Sequence, residues 1–311
     1  MATQKINTVV CGEGIDNTGY SECPVHMNIE GFIQVPSSKD FTDKEIEDLT
    51  VTLNAMAANN TKSLRAFPFP KLVGADVTGG DPVKVDFDNG ASTTTFEKQY
   101  MLKGMYYTGG VPLNSSLRTR NGQNVSFLFY GAGKVWGAVI NGKKRGFPVT
   151  NFGADAQKPG AFQKRSEYDF HFNVETKYLN TNGKYWYIVN DDVADIAGLK
   201  NITLVAPVAP QVTAGLVVLG VVEQGYGTNY AELYPSITTL AFTAKNGTTG
   251  NAITIQSKTV IDGKLAIQLD VADPDYPAAL GTVVIAGPNV AALIAANIPN
   301  AEIINSVTVT V

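Results

Sequence analysis

The sequence predicts a mainly β protein of two domains, and three observations carry that prediction. Segments whose apolar residues recur at every second position outnumber those with a helical period. Asx-Gly pairs at Asn141-Gly142, Asn182-Gly183 and Asp262-Gly263 separate such segments, which is the turn chemistry of two-residue hairpins. The 311 residues are 44% hydrophobic and only 17% charged, with 30 glycines, whereas soluble domains usually carry roughly 25% charged residues. This length favours two cores over one.

The N-terminus, MATQKINTVV, lacks the apolar region of a secretory signal. No run reaches the ~18 apolar residues of a membrane span; the longest, from Val212 to Val222, carries Gly215 and Gly220. Synthesis in a cytoplasm is the expectation, and two cysteines in the whole chain fit a reducing compartment. Thr42-Asp-Lys-Glu45 is a capping box that opens an amphipathic helix reaching about Ala58, with Ile46, Leu49, Leu53 and Met56 on one face. Next come the apolar run Val125 to Tyr130, the Gly131-Ala-Gly133 turn, and a hairpin of Val135 to Ile140 with Lys143 to Val149. Tyr168, Phe170, Phe172 and Val174 alternate with Asp169, His171, Asn173 and Glu175, which predicts a half-buried strand. It runs toward Lys184 to Val189 through Asn182-Gly183, and the two read as a hairpin.

A boundary is expected near Asn201 to Gln211, giving domains 1–204 and 205–311. The second part holds three lysines, no arginine and seven acids, a net −4, so the first part sums to zero. Its short β-runs, a hairpin at Asp262-Gly263 and a short helix at Ala291 to Asn297 suit an immunoglobulin-like sandwich lacking the Cys and Trp of antibody domains. The expected fold class is therefore an N-terminal antiparallel β-sandwich or barrel with one amphipathic helix, plus a C-terminal Ig-like β-sandwich.

Chemistry-bearing residues cluster once, in CGEGIDNTGYSECPVH, residues 11–26. Cys11, Cys23 and His26 could form part of a zinc site, a disulfide loop or a thiol centre. Zinc needs four ligands, and His171 is the one other histidine; no nucleophile motif surrounds either cysteine. The expectation is reduced thiols, with no catalytic, cofactor or metal residue assigned and no enzyme activity. Gly131-Ala-Gly133 lacks the following helix that a dinucleotide loop requires. Asp81, Asp86, Asp88, Asp273 and Asp275 read as turn residues without the spacing of a calcium loop. No basic excess suits duplex binding. From Arg118 to Arg165, however, nine cations face a single acid, Asp155, and the hairpin tip Lys143-Lys-Arg145 lies among them. Two readings stand for this stretch: a solvated loop, or a contact with an acidic partner.

The domain order and composition resemble the tail tube proteins of long-tailed bacteriophages. In that family the sheets of six subunits close into a ring, rings stack into a tube, and an appended Ig-like domain decorates the outside. The resemblance implies a virion protein made in the host cytoplasm, partnered by copies of itself and by other virion proteins. It also implies non-specific proximity to packaged or transiting DNA, and no membrane partner. Lys143, Lys144 and Arg145 become candidate inter-ring contacts, and Gly12, Gly14 and Gly19 would let an N-terminal arm follow a neighbouring subunit. The same composition also suits a capsid protein, either a jelly-roll shell subunit or a decoration protein. A third reading is a carbohydrate- or host-surface-binding module that exposes Trp136, Trp186 and tyrosines.

Overall fold

The computed structural model describes residues 7–10, 28–88, 91–107, 109–123, 125–160, 168–175, 178, 184–190, 192–206, 214–233, 242–278, 280–287, 290–295 and 300–311. The protein is mainly β and divides into two compact units, one of Met1–Ala57 with Thr61–Ala197 and one of Ala58–Asn60 with Gly198–Val311. The junction thus falls earlier than 204/205. The strand Lys200–Val205 pairs antiparallel with Leu216–Glu223, so its backbone partners place it in the second unit. Among the described residues no helix is long and apolar enough to cross a membrane.

The first unit contains β1 (Asn7–Val10), β2 (Gly31–Val35), α1 (Asp43–Glu47), α2 (Leu49–Ala57), β3 (Phe67–Pro68), β4 (Gly74–Thr78), β5 (Pro82–Asp86) and β6 (Ser92–Glu97). It continues with β7 (Tyr100–Tyr106), α3 (Gly110–Arg118), β8 (Val125–Gly131), β9 (Lys134–Ile140), β10 (Lys143–Arg145), β11 (Phe147–Ala154), β12 (Tyr168–Val174) and β13 (Lys184–Val189). One antiparallel sheet runs in the order β1-β13-β9-β8-β11-β12-β7-β4, with β2 and β3 branching from β8 and β10 from β9. β8 lies at the centre because VSFLFYG is apolar on both faces, and every residue of it is buried. On one side Phe127 and Phe129 join Phe32, Phe147, Phe170 and Phe172. On the other, Leu128 and Tyr130 meet Ile33, Trp186 and the helix residues Ile46, Leu49 and Leu53. Each such aromatic or aliphatic side chain contributes about 1.5–3 kcal/mol by leaving water.

The capping box forms as expected: Thr42 N donates to Glu45 Oε2 at 2.8 Å and Glu45 N to Thr42 Oγ1 at 3.3 Å. The helix breaks at Asp48, where the Thr52 hydroxyl takes the Glu45 carbonyl. The alternation of β12 is borne out, with Tyr168, Phe170, Phe172 and Val174 buried. Its expected hairpin with Lys184 to Val189 does not form. β12 pairs with β7 and β11, while β13 pairs with β9 and β1. The Asn182-Gly183 turn lies outside the described residues. The second expected hairpin forms as far as Arg145, with Asn141 and Gly142 both at positive φ between β9 and β10, whereas Phe147 to Val149 pair with β8.

Trp136 and Trp186 are 1% and 0% exposed, which corrects the reading of them as surface aromatics. Trp186 lies directly opposite Gly137, where a Cβ would stand 2.5 Å from the indole and 2.5 Å from the Arg145 carbonyl. The indole nitrogen donates to that same carbonyl at 3.1 Å.

The second unit is a sandwich of β14 (Lys200–Val205), β15 (Leu216–Glu223), α4 (Tyr230–Leu233), β16 (Thr243–Asn246), β17 (Ala252–Ile253), β18 (Ile255–Ile261) and β19 (Lys264–Leu269). β20 (Thr282–Ala286), α5 (Val290–Ala295), β21 (Ala301–Ile303) and β22 (Ser306–Thr310) complete it. One sheet runs β18-β19-β15-β14-β21 and the other β17-β16-β20-β22. Lettered in chain order, with β21 set aside, these are D-E-B-A and C′-C-F-G, the immunoglobulin arrangement. β21 extends the first sheet by a parallel pairing with β14. Val217, Leu219 and Val221 from one sheet and Val283, Ile285, Val307 and Val309 from the other share a core that needs neither disulfide nor tryptophan.

Candidate functional site

The structure gives the cationic hairpin partners from its own chain. Asp40 accepts from Lys143 Nζ at 2.6 Å and from Arg145 Nε at 2.5 Å, and Asp43 pairs with Lys144. Phe41 N donates to the Lys144 carbonyl at 2.8 Å, so the segment entering α1 lies along β10. The Arg145 and Lys143 hydrogen bonds hold the Asp40 carboxyl below its ordinary pKa. Elsewhere in the basic stretch, Lys158 pairs with Asp169. Arg120 stacks 4.2 Å over Phe67 and donates to Gln34 Oε1 at 2.6 Å; burial lowers its pKa. Read linearly, this stretch seems to lack counterions, yet several reach it through the fold. Gly12, Gly14 and Gly19, with Cys11, Cys23 and His26, lie outside the described residues.

A feature that sequence reasoning missed stands on the opposite edge of the sheet. From β4 the chain passes through Gly79-Gly80 into the β5–β6 hairpin and returns into β7. Gly79 and Gly80 sit at φ 98° and 80°, and a Cβ on Gly79 would lie 2.2 Å from the Gln99 carbonyl. This is a fixed joint, closed by Gly80 N to Lys98 O and Lys98 N to Asp81 O, both 3.0 Å. β5 and β6 pair with each other and not with the large sheet. Among the described side chains, none between Leu72 and Leu102 belongs to either core of the unit. Val77, Val85 and Phe87 are 53%, 43% and 50% exposed. A two-stranded hairpin is marginal in water without packing. β4 pairs only with β7, and no described strand covers its outer edge. That edge, Gly-Ala-Asp-Val-Thr, has no proline, lysine or bulge to block further pairing. The available signal was the β-branched run Ser92 to Phe96 facing Pro82 to Asp86 across Asn89-Gly90.

Between β4, β7 and β12 lies a cleft of about 470 Å³. Asp76, Lys103, Asp155, Lys158, Asp169 and His171 supply its charges. They answer one another: Asp76 is opposite Lys103 in register, Lys158 pairs with Asp169, and His171 Nδ1 is 3.6 Å from Asp155. The His171 ring rests over Gly153, where a Cβ would be 2.6 Å away. Among the described residues no Ser, Thr or Cys lines this cleft. Among the described residues no group of three His, Cys, Asp or Glu could hold a metal ion. The arrangement offers ion pairing at the base of the arm.

No protein-family model matches the chain, and no characterised protein matches it. Function therefore has to be argued from the arm, the open edge and the two units.

Proposed function

We propose that the protein is a structural subunit of a bacteriophage virion, a tail tube protein that self-assembles into stacked rings. The observation that carries this reading is the arm from Val73 to Gln99, which exposes Val77, Val85 and Phe87 beside the open β4 edge. In a monomer such an edge and such a hairpin favour uncontrolled pairing; a closed ring removes the edge and gives the hairpin a surface to pack on. The Ig-like unit supports the same reading as the appended domain of that family. The inter-ring role first assigned to Lys143, Lys144 and Arg145 passes to the arm, because Asp40 and Asp43 already neutralise those cations. Light scattering with negative-stain imaging of the purified full chain tests the proposal. Rings or tubes are expected, and a dispersed monomer at high concentration overturns it.

A further inference from the structure

Among the described aromatic side chains, only Phe87 on the arm and Tyr226 in the Ig-like unit are mainly exposed. Tyr226, 50% exposed, sits in the turn that leaves β15, between Gly225 at φ 83° and Gly227 at φ 70°. A Cβ on Gly227 would meet nothing within 4 Å. The turn is rigid. Gly227 N donates to Glu223 O at 2.9 Å, Glu223 N to Thr228 O at 2.9 Å, and Asn229 Nδ2 to Gly263 O at 2.6 Å. Beside it Gln224 N donates to Asn201 O at 2.9 Å, and Asn201 Nδ2 to Gln224 Oε1 at 3.2 Å. Both amides are exposed, and that bond occupies one donor and one acceptor of the pair, leaving others for a ligand.

We infer that Tyr226, with Asn201 and Gln224, forms a weak binding site for a neutral saccharide. A tyrosine ring presents a flat apolar face with a polar tip. The apolar C–H face of a pyranose matches that face, and its rim of hydroxyls matches neighbouring amides. One ring is far below the roughly 800 Å² per partner of a specific protein interface, which disfavours a protein partner. Residues 198–311 hold four lysines and seven acids, a net −3 that disfavours an acidic sugar. This site lies wholly within the second unit and does not rest on the ring-forming reading.

Saturation-transfer NMR on the full chain, with cellotriose and chitotriose as probes, tests it. Transfer to the pyranose ring protons of at least one probe is expected. Tyr226→Ala should weaken binding about tenfold at an unchanged melting temperature, and Tyr226→Trp should retain it. No transfer to either probe, or equal transfer with Tyr226→Ala, overturns the inference, and neither result bears on whether rings form.

Discussion

Two hairpins of the first unit, β9–β10 and β5–β6, have opposite relations to the rest of the chain. The first is the more conspicuous in sequence, with three successive cations after an Asn-Gly turn. The fold settles it against Asp40, Asp43 and the backbone of Phe41. The second has a modest sequence, with valines and threonines beside one proline and acids, yet it leaves Val85 and Phe87 in solvent. Charge at a tip is therefore a poor guide to a contact surface, because a charge can be answered from a hundred residues away. Apolar area that the chain itself never covers is the better guide.

The largest expected effect breaks this contrast outright. Replacing residues 82–97 by an Asn-Gly turn is sterically simple, since Asp81 and Lys98 are hydrogen-bonded neighbours. It should abolish assembly in negative stain while leaving the thermal transition near that of the native chain, because none of the arm's described side chains belongs to either core. A transition that collapses with the deletion would show that the arm supports the fold instead. Gly79→Ala comes next. It forces a Cβ against the Gln99 carbonyl at a left-handed φ and redirects the arm, so rings should become rare or misshapen.

The other hairpin should respond in stability and not in assembly. Gly137→Ala drives a methyl into Trp186 and the Arg145 carbonyl, and denaturant titration should show a loss of about 1–3 kcal/mol. The joint reversal Lys143→Glu with Arg145→Glu should leave rings intact and lower the melting temperature slightly; loss of rings would restore these cations as a contact. The smallest effect is a pH dependence. Asp40 titrates below its ordinary value in the folded chain, held there by Arg145 and then Lys143. A depressed carboxylate stabilises above its unfolded pKa of about 3.9 and loses that contribution as pH falls through its folded value. The melting difference between the native chain and Asp40→Asn should thus be constant from neutral pH to about pH 4 and shrink below it.

Much of the local structure was legible. Thr42 and Glu45 specify their cap because each satisfies the other's free amide within one turn. Asn141-Gly142 and Asp262-Gly263 specify tight turns because both positions must take positive φ. The alternation from Tyr168 to Val174 specifies a strand with one buried face. The core-facing strand positions of the Ig-like unit follow the same rule without the residues that mark antibody domains. Less of the candidate site was legible. Ser92 to Phe96 gives a strand signal, but whether a strand packs on its own core or stands clear is not a local property.

The sequence by itself determined the mainly β class, the cap and the two-residue turns, because hydrogen bonds and φ preferences within a few residues decide these. The tertiary structure decided that β13 lies beside β9 and not β12, that both tryptophans are buried, that Asp40 answers Lys143 and Arg145, and that the arm's described side chains have no place in either core. Each of those depends on surfaces distant in sequence competing for the same neighbours. That competition is won by the packing of the whole core around β8, which no short stretch of residues encodes.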